Sequence, residues 1–502
     1  MSFEEKLAKL RKTYQELSVL SGLGALVGWD EQVYMPVASA GTHARMSAYL
    51  SGLGHDISTS PELGQLLSDL QAEAKDLPED DDIVREIKVA KRAYDKMVRI
   101  PKDKMIEFVM ATSAAHEAWL KAKVNNDYPS FEPHLARIID LQLEMVDYFK
   151  PWDHPYDALL DLFEPGMKTV EVRAIFEALR PQQVDLIQQI VASQPVEDAF
   201  LNQQFDIAMQ RKLGQHIAGL IGYDWSRGRL DETEHPFTTG FSLDDVRITT
   251  HYYPNDLLSA FFSTMHETGH ALYDLGINRK YEGTSLVSTA SMALHESQSR
   301  LWENLVGRSK PFWKFYYPTL QAFFPDQLGN VDVNAFYRGV NKVTPSLVRI
   351  EADEVTYNLH IMLRMELELA LIEKTITTKD LPEAWNARMR GYLGITPPTD
   401  TLGVLQDVHW AGGSIGYFPT YALGNLVAAQ FWHKLNQDQP DIPDQMASGN
   451  FAPILAWLRV NVHRHGGKYT AQELVRQVTG QGINPAYYMK YLTDKYKEIY
   501  NF

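Results

Sequence analysis

Five residues near the middle of the chain, His266-Glu267-Thr268-Gly269-His270, have the types and spacing that metal-assisted hydrolysis needs. Histidines four apart stand on one face of a helix, one turn above the other, so their imidazoles can converge on a single ion. Glu267 projects beside that face, where it can take a proton from a metal-bound water. Residues 257–273 around the motif are apolar and helical in pattern, and Pro254-Asn255-Asp256 predicts their N-terminal cap. Polar side chains on a helix apolar enough to be buried are costly without partners. That favours a metal over two hydrogen-bonded core histidines. Gly269 inside the helix costs about 1 kcal/mol relative to Ala, so another element is expected to come close there.

Two histidines leave a catalytic ion short of a third protein ligand. No H-x-x-G-x-x-H continuation follows His270, so the third ligand must come from a later helix. In His295-Glu296-Ser297-Gln298-Ser299-Arg300-Leu301-Trp302 the preferred candidate is Glu296, with His295 its rival. Neighbouring helical residues point about 100° apart, so the two do not serve one ion. A solvated face carrying a Glu296–Arg300 pair is the plainer alternative. It fits poorly with Met292, Leu294 and Leu301 around it.

The elements that must position these residues are mostly helices. Residues 3–53 read as helices broken near Gly22 to Gly28. Asp80-Asp81-Asp82 caps a helix whose apolar face is Ile83, Ile87, Ala90, Tyr94 and Met97. Pro101 opens a helix to about Val124, Asn125 to Pro129 breaks it, and another runs to Tyr148. A turn at Phe163 to Gly166 precedes two more helices, to about Ala192 and Ile221. Residues 246–253 are β-branched and aromatic, which predicts a small sheet whose last strand feeds the H-E-x-x-H helix. Helices then return, with loops around 276–284, 325–331, 394–401 and 412–420. The expected fold is mainly α with one small β-sheet next to the metal helix. The chain reads as a single catalytic domain over residues 1–502. Within it, residues 1–221 are largely helical, residues 222–253 hold the sheet, and residues 254–502 are helical again.

Composition sets the setting. The chain has 502 residues, 45% hydrophobic, enough for a large core. A net charge of -16 and a pI of about 5.5 imply repulsion from nucleic acid and anionic membranes, so neither is an expected partner. Without cysteine there is no disulfide, thiolate ligand or cysteine nucleophile. The charged start is not a signal peptide, and no apolar run is long enough to span a bilayer. A cytoplasmic enzyme is the expectation.

Six motifs occur in order: His235-Pro236-Phe237, Asp245-Val246-Arg247-Ile248-Thr249, the H-E-T-G-H stretch, His295-Glu296-Ser297-Gln298, Val348-Arg349-Ile350-Glu351-Ala352-Asp353, and Gly403-Val404-Leu405-Gln406-Asp407-Val408-His409-Trp410. Together they resemble the signature set of the thermostable carboxypeptidase Taq family of zinc metallocarboxypeptidases. The likeness extends to Trp29-Asp30, Met35-Pro36, Trp457-Leu458-Arg459 and His463-Arg464-His465-Gly466. The resemblance implies a nearly all-helical body with a deep active-site cleft and a small sheet at the site, similar to angiotensin-converting enzyme and neurolysin. It implies release of single residues from peptides with a free C-terminal carboxylate. It places one Zn²⁺ per chain on His266, His270 and Glu296, with Co²⁺ able to substitute, and makes Glu267 the general base. It also implies a homodimer.

Further roles follow from that chemistry. A tetrahedral oxyanion needs a donor besides the metal. His409 and the tyrosines of the glycine-rich loop are the candidates, Tyr421 before Tyr417, by analogy with related helical zinc peptidases. An arginine fork suits a terminal carboxylate. Arg349 is the best candidate, and its plainer alternative is an ion pair with Asp353. Arg247 either faces substrate from the sheet edge or locks the sheet with Asp245. Gln406 and Asp407 are expected to orient His409, and Gln406 and Tyr417 to face substrate. Asp274 is a further orienting candidate, and His235 reads as structural. An oligopeptidase that cuts internal bonds is the rival enzyme. An inactive binding protein is the rival of another class, and the intact Glu267 argues against it.

Overall fold

Twenty-one α-helices and one three-stranded sheet make up the regular structure of residues 1–502 in the computed structural model. The N-terminal half holds α1 (Phe3–Val33), α2 (Ala40–Ser58), α3 (Pro61–Glu73), α4 (Asp82–Arg99), α5 (Lys102–Asn125), α6 (Tyr128–Val146), α7 (Pro155–Leu160), α8 (Thr169–Val191) and α9 (Ile207–Leu220). The strands follow as β1 (Leu230–Glu232), β2 (Thr238–Ser242) and β3 (Asp245–Thr250). Then come α10 (Leu257–Asp274), α11 (Met292–Arg300), α12 (Lys310–Phe323), α13 (Pro325–Leu328), α14 (Val333–Val340), α15 (Tyr357–Ile372) and α16 (Leu381–Leu393). The chain closes with α17 (Pro419–Asp438), α18 (Ile442–Ala447), α19 (Ala452–Asn461), α20 (Ala471–Thr479) and α21 (Ala486–Tyr500). No helix is long and apolar enough to cross a membrane. The mainly helical class with one small sheet is as expected from the sequence.

Three local expectations fail, each for a physical reason. Helix α1 runs unbroken through Gly22, Gly24 and Gly28. At Gly22 the missing side chain lets the sheet approach, since a Cβ there would stand 2.6 Å from the Phe241 carbonyl oxygen. The glycine thus serves packing, and tertiary contact overrides weak helix propensity. The predicted loop at 325–331 begins with the one-turn helix α13, opened by Pro325 at its first position. Strand β3 ends at Thr250, and residues 251–256 form a connection before α10.

Two principal clusters hold the helices, beside two smaller ones. A large one of 96 buried residues runs from Ala115 to Tyr500, while Leu7, Leu10, Leu63, Leu66, Leu67, Leu70, Ala74, Ile87 and Ala90 make a separate cluster under α1, α3 and α4. The sheet has the order β1-β3-β2, with β1 parallel and β2 antiparallel to β3 and a register shift between Gly240 and Ser242. Its inner face, Val246 and Ile248, packs with Ala271 of α10 and with Leu275 just past the end of that helix.

Two glycines set the spacing at the centre. On α10, a Cβ at Gly269 would lie 2.6 Å from the Ser299 Cα and 2.7 Å from the Gln298 carbonyl of α11. On α17, a Cβ at Gly424 would lie 2.7 Å from Glu296 Cγ. Helix α11 is therefore gripped between α10 and α17 at backbone distance. Gly269→Ala forces that contact apart, and we expect a loss of about 1–3 kcal/mol despite the better helix propensity of alanine. Thermal melts check it, and an unchanged or higher Tm would show that the contact gives way freely.

Candidate active site

Helix α10 starts cleanly because the Asp256 carboxylate accepts from the Ser259 N–H at 3.0 Å. Two turns on, it presents His266 and His270 on one face. Helix α11, closing in at Gly269, brings Glu296 to them: Glu296 Oε2 lies 3.5 Å from His266 Nε2 and 3.4 Å from His270 Nε2. The three ligand atoms all fall within 4.8 Å of one another, and they form the one His/Cys/Asp/Glu group in the chain arranged to hold an ion. His295, the rival, turns away. Its Nε2 meets Asp274 Oδ1 at 3.1 Å, and its ring stacks on His270 with centroids 4.3 Å apart. Asp274 thus acts on the cluster through His295.

The donor set, two imidazoles and a carboxylate, suits a borderline cation such as zinc. Two of the three residues have orienting partners, while His270 Nδ1 has none. His266 Nδ1 meets Glu303 Oε2 at 2.8 Å, which fixes its ring with Nε2 toward the site. Arg300 Nε donates to Glu296 Oε1 at 2.6 Å and leaves Oε2 for the ion. The Glu296–Arg300 pair considered from sequence therefore exists, but it is buried and works alongside ligation. Burial alone raises a carboxyl, yet Arg300 and the histidines hold Glu296 well below the usual range. Glu303 was missed from sequence, although it falls on the same face as Glu296 and Arg300, seven residues on. There the helix widens to a π-turn over Leu301–Val306, a distortion frequent at functional sites.

Glu267 is 7% exposed. The sheet reaches it through Thr238, whose hydroxyl lies 2.6 Å from Glu267 Oε2 and 2.9 Å from the Glu267 carbonyl. Burial pushes the Glu267 carboxyl above the usual glutamate range, the direction a proton acceptor near neutral pH requires. Thr238 follows His235-Pro236-Phe237 and carried no signal of its own. His235 is exposed and stands outside this cluster.

A third side of the site comes from the connection between α16 and α17 and the first turn of α17. Tyr421 and Gly424 share a face of α17, and Gly424 touches Glu296, so Tyr421 stands one turn from the ligand. His409 Nε2 meets Tyr421 Oη at 3.2 Å. Burial, reinforced by Arg349 and Arg364, lowers His409 to about 4 even though Asp407 opposes the shift, so the ring is neutral at neutral pH. Burial keeps both phenols protonated, with Tyr417 pushed up to about 12 and Tyr421 raised well above the ordinary phenol value. Tyr417 packs edge-on against Tyr421 and against Phe163.

Arg349 is 6% exposed and anchored, but not by Asp353. Asp353 accepts from the backbone N–H groups of Thr344, Val355 and Thr356. Arg349 instead donates to Asp407 Oδ1 at 3.0 Å and to the Tyr357 hydroxyl at 2.9 Å, and its guanidinium lies 4.9 Å from the Tyr421 ring centre. Asp407 is shared with Arg364, a fully buried arginine not singled out from sequence, at 2.5 Å. Two guanidiniums on one carboxylate leave a net positive charge beside Tyr421.

Gln406 and Asp407 do not orient His409. The gap from His409 Nδ1 to Asp407 is 3.9 Å, too long for a hydrogen bond, and that nitrogen has no partner. Gln406 Oε1 accepts from the Arg349 N–H and from Arg364, and its amide donates to the Leu347, Leu402 and Gly403 carbonyls. Gln406 therefore frames the arginines. Arg247 pairs with Asp245 at 2.8 Å and sits 4.5 Å above both Trp29 and Phe241. That arrangement ties the sheet to α1, as the locking alternative has it.

A helical body that gathers two histidines and a glutamate on one ion position, with a buried glutamate beside them, defines a metallopeptidase of the H-E-x-x-H class. The match is family-wide: residues 9–496 fit the model of the carboxypeptidase Taq (M32) metallopeptidases, and the chain belongs to that family. It is thus a peptide hydrolase. It is 39% identical to carboxypeptidase 1 of Bacillus subtilis (strain 168), over 99% of each chain. It is also 39% identical to thermostable carboxypeptidase 1 of Thermus thermophilus, over 100% of each. The M32 carboxypeptidase structure from Deinococcus radiodurans superposes with a TM-score of 0.97 at 38% identity, covering 99% of this chain and 100% of that one.

Proposed function

We propose that this chain is a zinc-dependent metallocarboxypeptidase, one catalytic unit that releases single residues from peptides with a free C-terminal carboxylate. The observation that carries this is the convergence of His266, His270 and Glu296 within 4.8 Å, with Glu267 buried beside them. His266, His270 and Glu296 would hold zinc, or cobalt in its place, and the ion would supply Lewis acidity toward the attacking water and the scissile carbonyl. Glu267 takes the proton of the attacking water on its carboxylate and delivers it to the leaving amine. Thr238 fixes that carboxylate. Tyr421 donates its phenolic proton toward the developing oxyanion, with His409 and Tyr417 setting its direction. Arg349, backed by Arg364, receives the substrate's terminal carboxylate on the positive side of the site. A homodimer working in the cytoplasm completes this reading, and sedimentation of the purified chain tests the dimer.

Arg349→Ala separates exopeptidase from oligopeptidase. Asp407 keeps Arg364 as its partner in this variant, so the fold is expected to hold. Free-acid peptides should lose about ten- to a hundredfold in kcat/KM, chiefly through KM, as removal of a charge-assisted contact predicts. Unchanged kinetics on free acids would take Arg349 out of the site.

A further inference from the structure

We propose that Glu368 is a positioning residue: its buried carboxylate anchors both ends of the loop that joins His409 to Tyr417, just before the helix that carries Tyr421. Glu368 lies on α15 with no exposed surface. Its Oε1 accepts from Trp410 Nε1 at 2.8 Å, and Trp410 is the residue after His409. Its Oε2 accepts from the Gly416 N–H at 3.1 Å, and Gly416 is the residue before Tyr417. The same oxygen accepts from the Tyr156 hydroxyl of α7 at 2.6 Å. One side chain therefore ties the start of the glycine-rich loop to its end, and ties both to two helices of the body.

Several features make this more than packing. Trp410 Nε1–H and the Gly416 N–H can only donate, one to each oxygen, so the side chain must present an acceptor at both positions, as a carboxyl group does. An ionised carboxyl in the core is costly, and burial pushes Glu368 up to about 7 against the pull of its donors and of Arg364. Gly416 meanwhile has φ +91°, and a Cβ there would lie 2.8 Å from the Leu159 backbone. The loop is thus pressed onto α7 at the point where Glu368 holds it. Gln142 Nε2, donating to the Gly413 carbonyl at 2.7 Å, fixes only the middle. The ends, where His409 and Tyr417 sit, depend on Glu368.

This inference rests on the reading that Tyr421, directed by His409, meets the oxyanion, and the test separates the two. Tyr421→Phe, Glu368→Gln and the double variant are compared by kcat and KM on a free-acid peptide, with metal content and Tm recorded. Tyr421→Phe should lose about a hundredfold or more in kcat, as for an oxyanion donor. Glu368→Gln places an N–H₂ against a donor and frees one end of the loop. It should lose about ten- to a hundredfold in kcat, with KM within about twofold and full metal. The double variant should be no slower than Tyr421→Phe by more than about threefold, because residues acting as a unit are non-additive. Multiplicative losses, or wild-type kcat in a folded Glu368→Gln, would overturn the positioning role while leaving Tyr421 in place. A silent Tyr421→Phe would instead overturn the oxyanion reading. If Glu368→Gln fails to fold, Tyr156→Phe removes a single donor. It should cost a few-fold in kcat, and wild-type kcat there counts against the anchor.

Discussion

Glu267→Gln is expected to lower kcat by about 10²–10⁴-fold while the protein keeps its full metal complement, the range for a general base. The amide has nearly the shape of the carboxylate, and its oxygen can still accept from Thr238, 2.6 Å from Oε2 in the native protein. Glu267 is not among the three converging donors, so metal affinity should stay. What disappears is the capacity to take a proton. Steady-state kinetics together with elemental analysis read both quantities on one sample. A variant that turns over at the native rate would place the base elsewhere. A variant that loses its metal would give Glu267 a structural part in the ion site.

Glu296→Ala should remove both the ion and some of the stability. Its carboxylate is the only element that α11 contributes to the cluster, at 3.5 and 3.4 Å from the two histidines. Loss of an outer partner of a metal ligand costs about 10–100-fold in affinity, and a ligand itself should cost more. The same carboxylate holds Arg300, which is packed 4.5 Å from the Tyr357 ring centre. After truncation Arg300 retains Glu303, at 3.2 Å. The expected destabilisation is therefore below the roughly 3–5 kcal/mol of an uncompensated buried charge. Metal titration and thermal melts measure the two effects. A full metal complement in Glu296→Ala would give the third ligand to His295.

What was legible in the sequence was what local spacing encodes. His266 and His270 report a helix face because four residues are one turn, and Asp256 marks where that helix starts. Gly269 announces a close approach through its misfit with a helix interior. The sheet at 222–253 shows in its β-branched run. Partners distant in sequence were not legible. The ion pair of Arg349 runs to Asp407, not to Asp353 four residues away, because residues 349–351 form a short turn of 3₁₀ helix and Asp353 caps backbone beyond it. Gln406 faces two arginines, a fact no spacing rule contains. The glycines of α1 resemble a break until β2 is seen against Gly22. Thr238, Arg364 and Glu368 act on motif residues from other elements, and nothing in their own neighbourhoods marks them.

The central claim is that one chelatable metal at His266, His270 and Glu296 drives stepwise removal of C-terminal residues. A mass-spectrometric time course on a mixture of unblocked and C-terminally amidated peptides, with and without a chelator, tests it directly. The predicted result is a ladder of single-residue losses from the C-terminus of the free acids alone, abolished by chelator and restored by Zn²⁺ or Co²⁺. Internal fragments from the amidated peptides, or a ladder that survives metal removal, would contradict it.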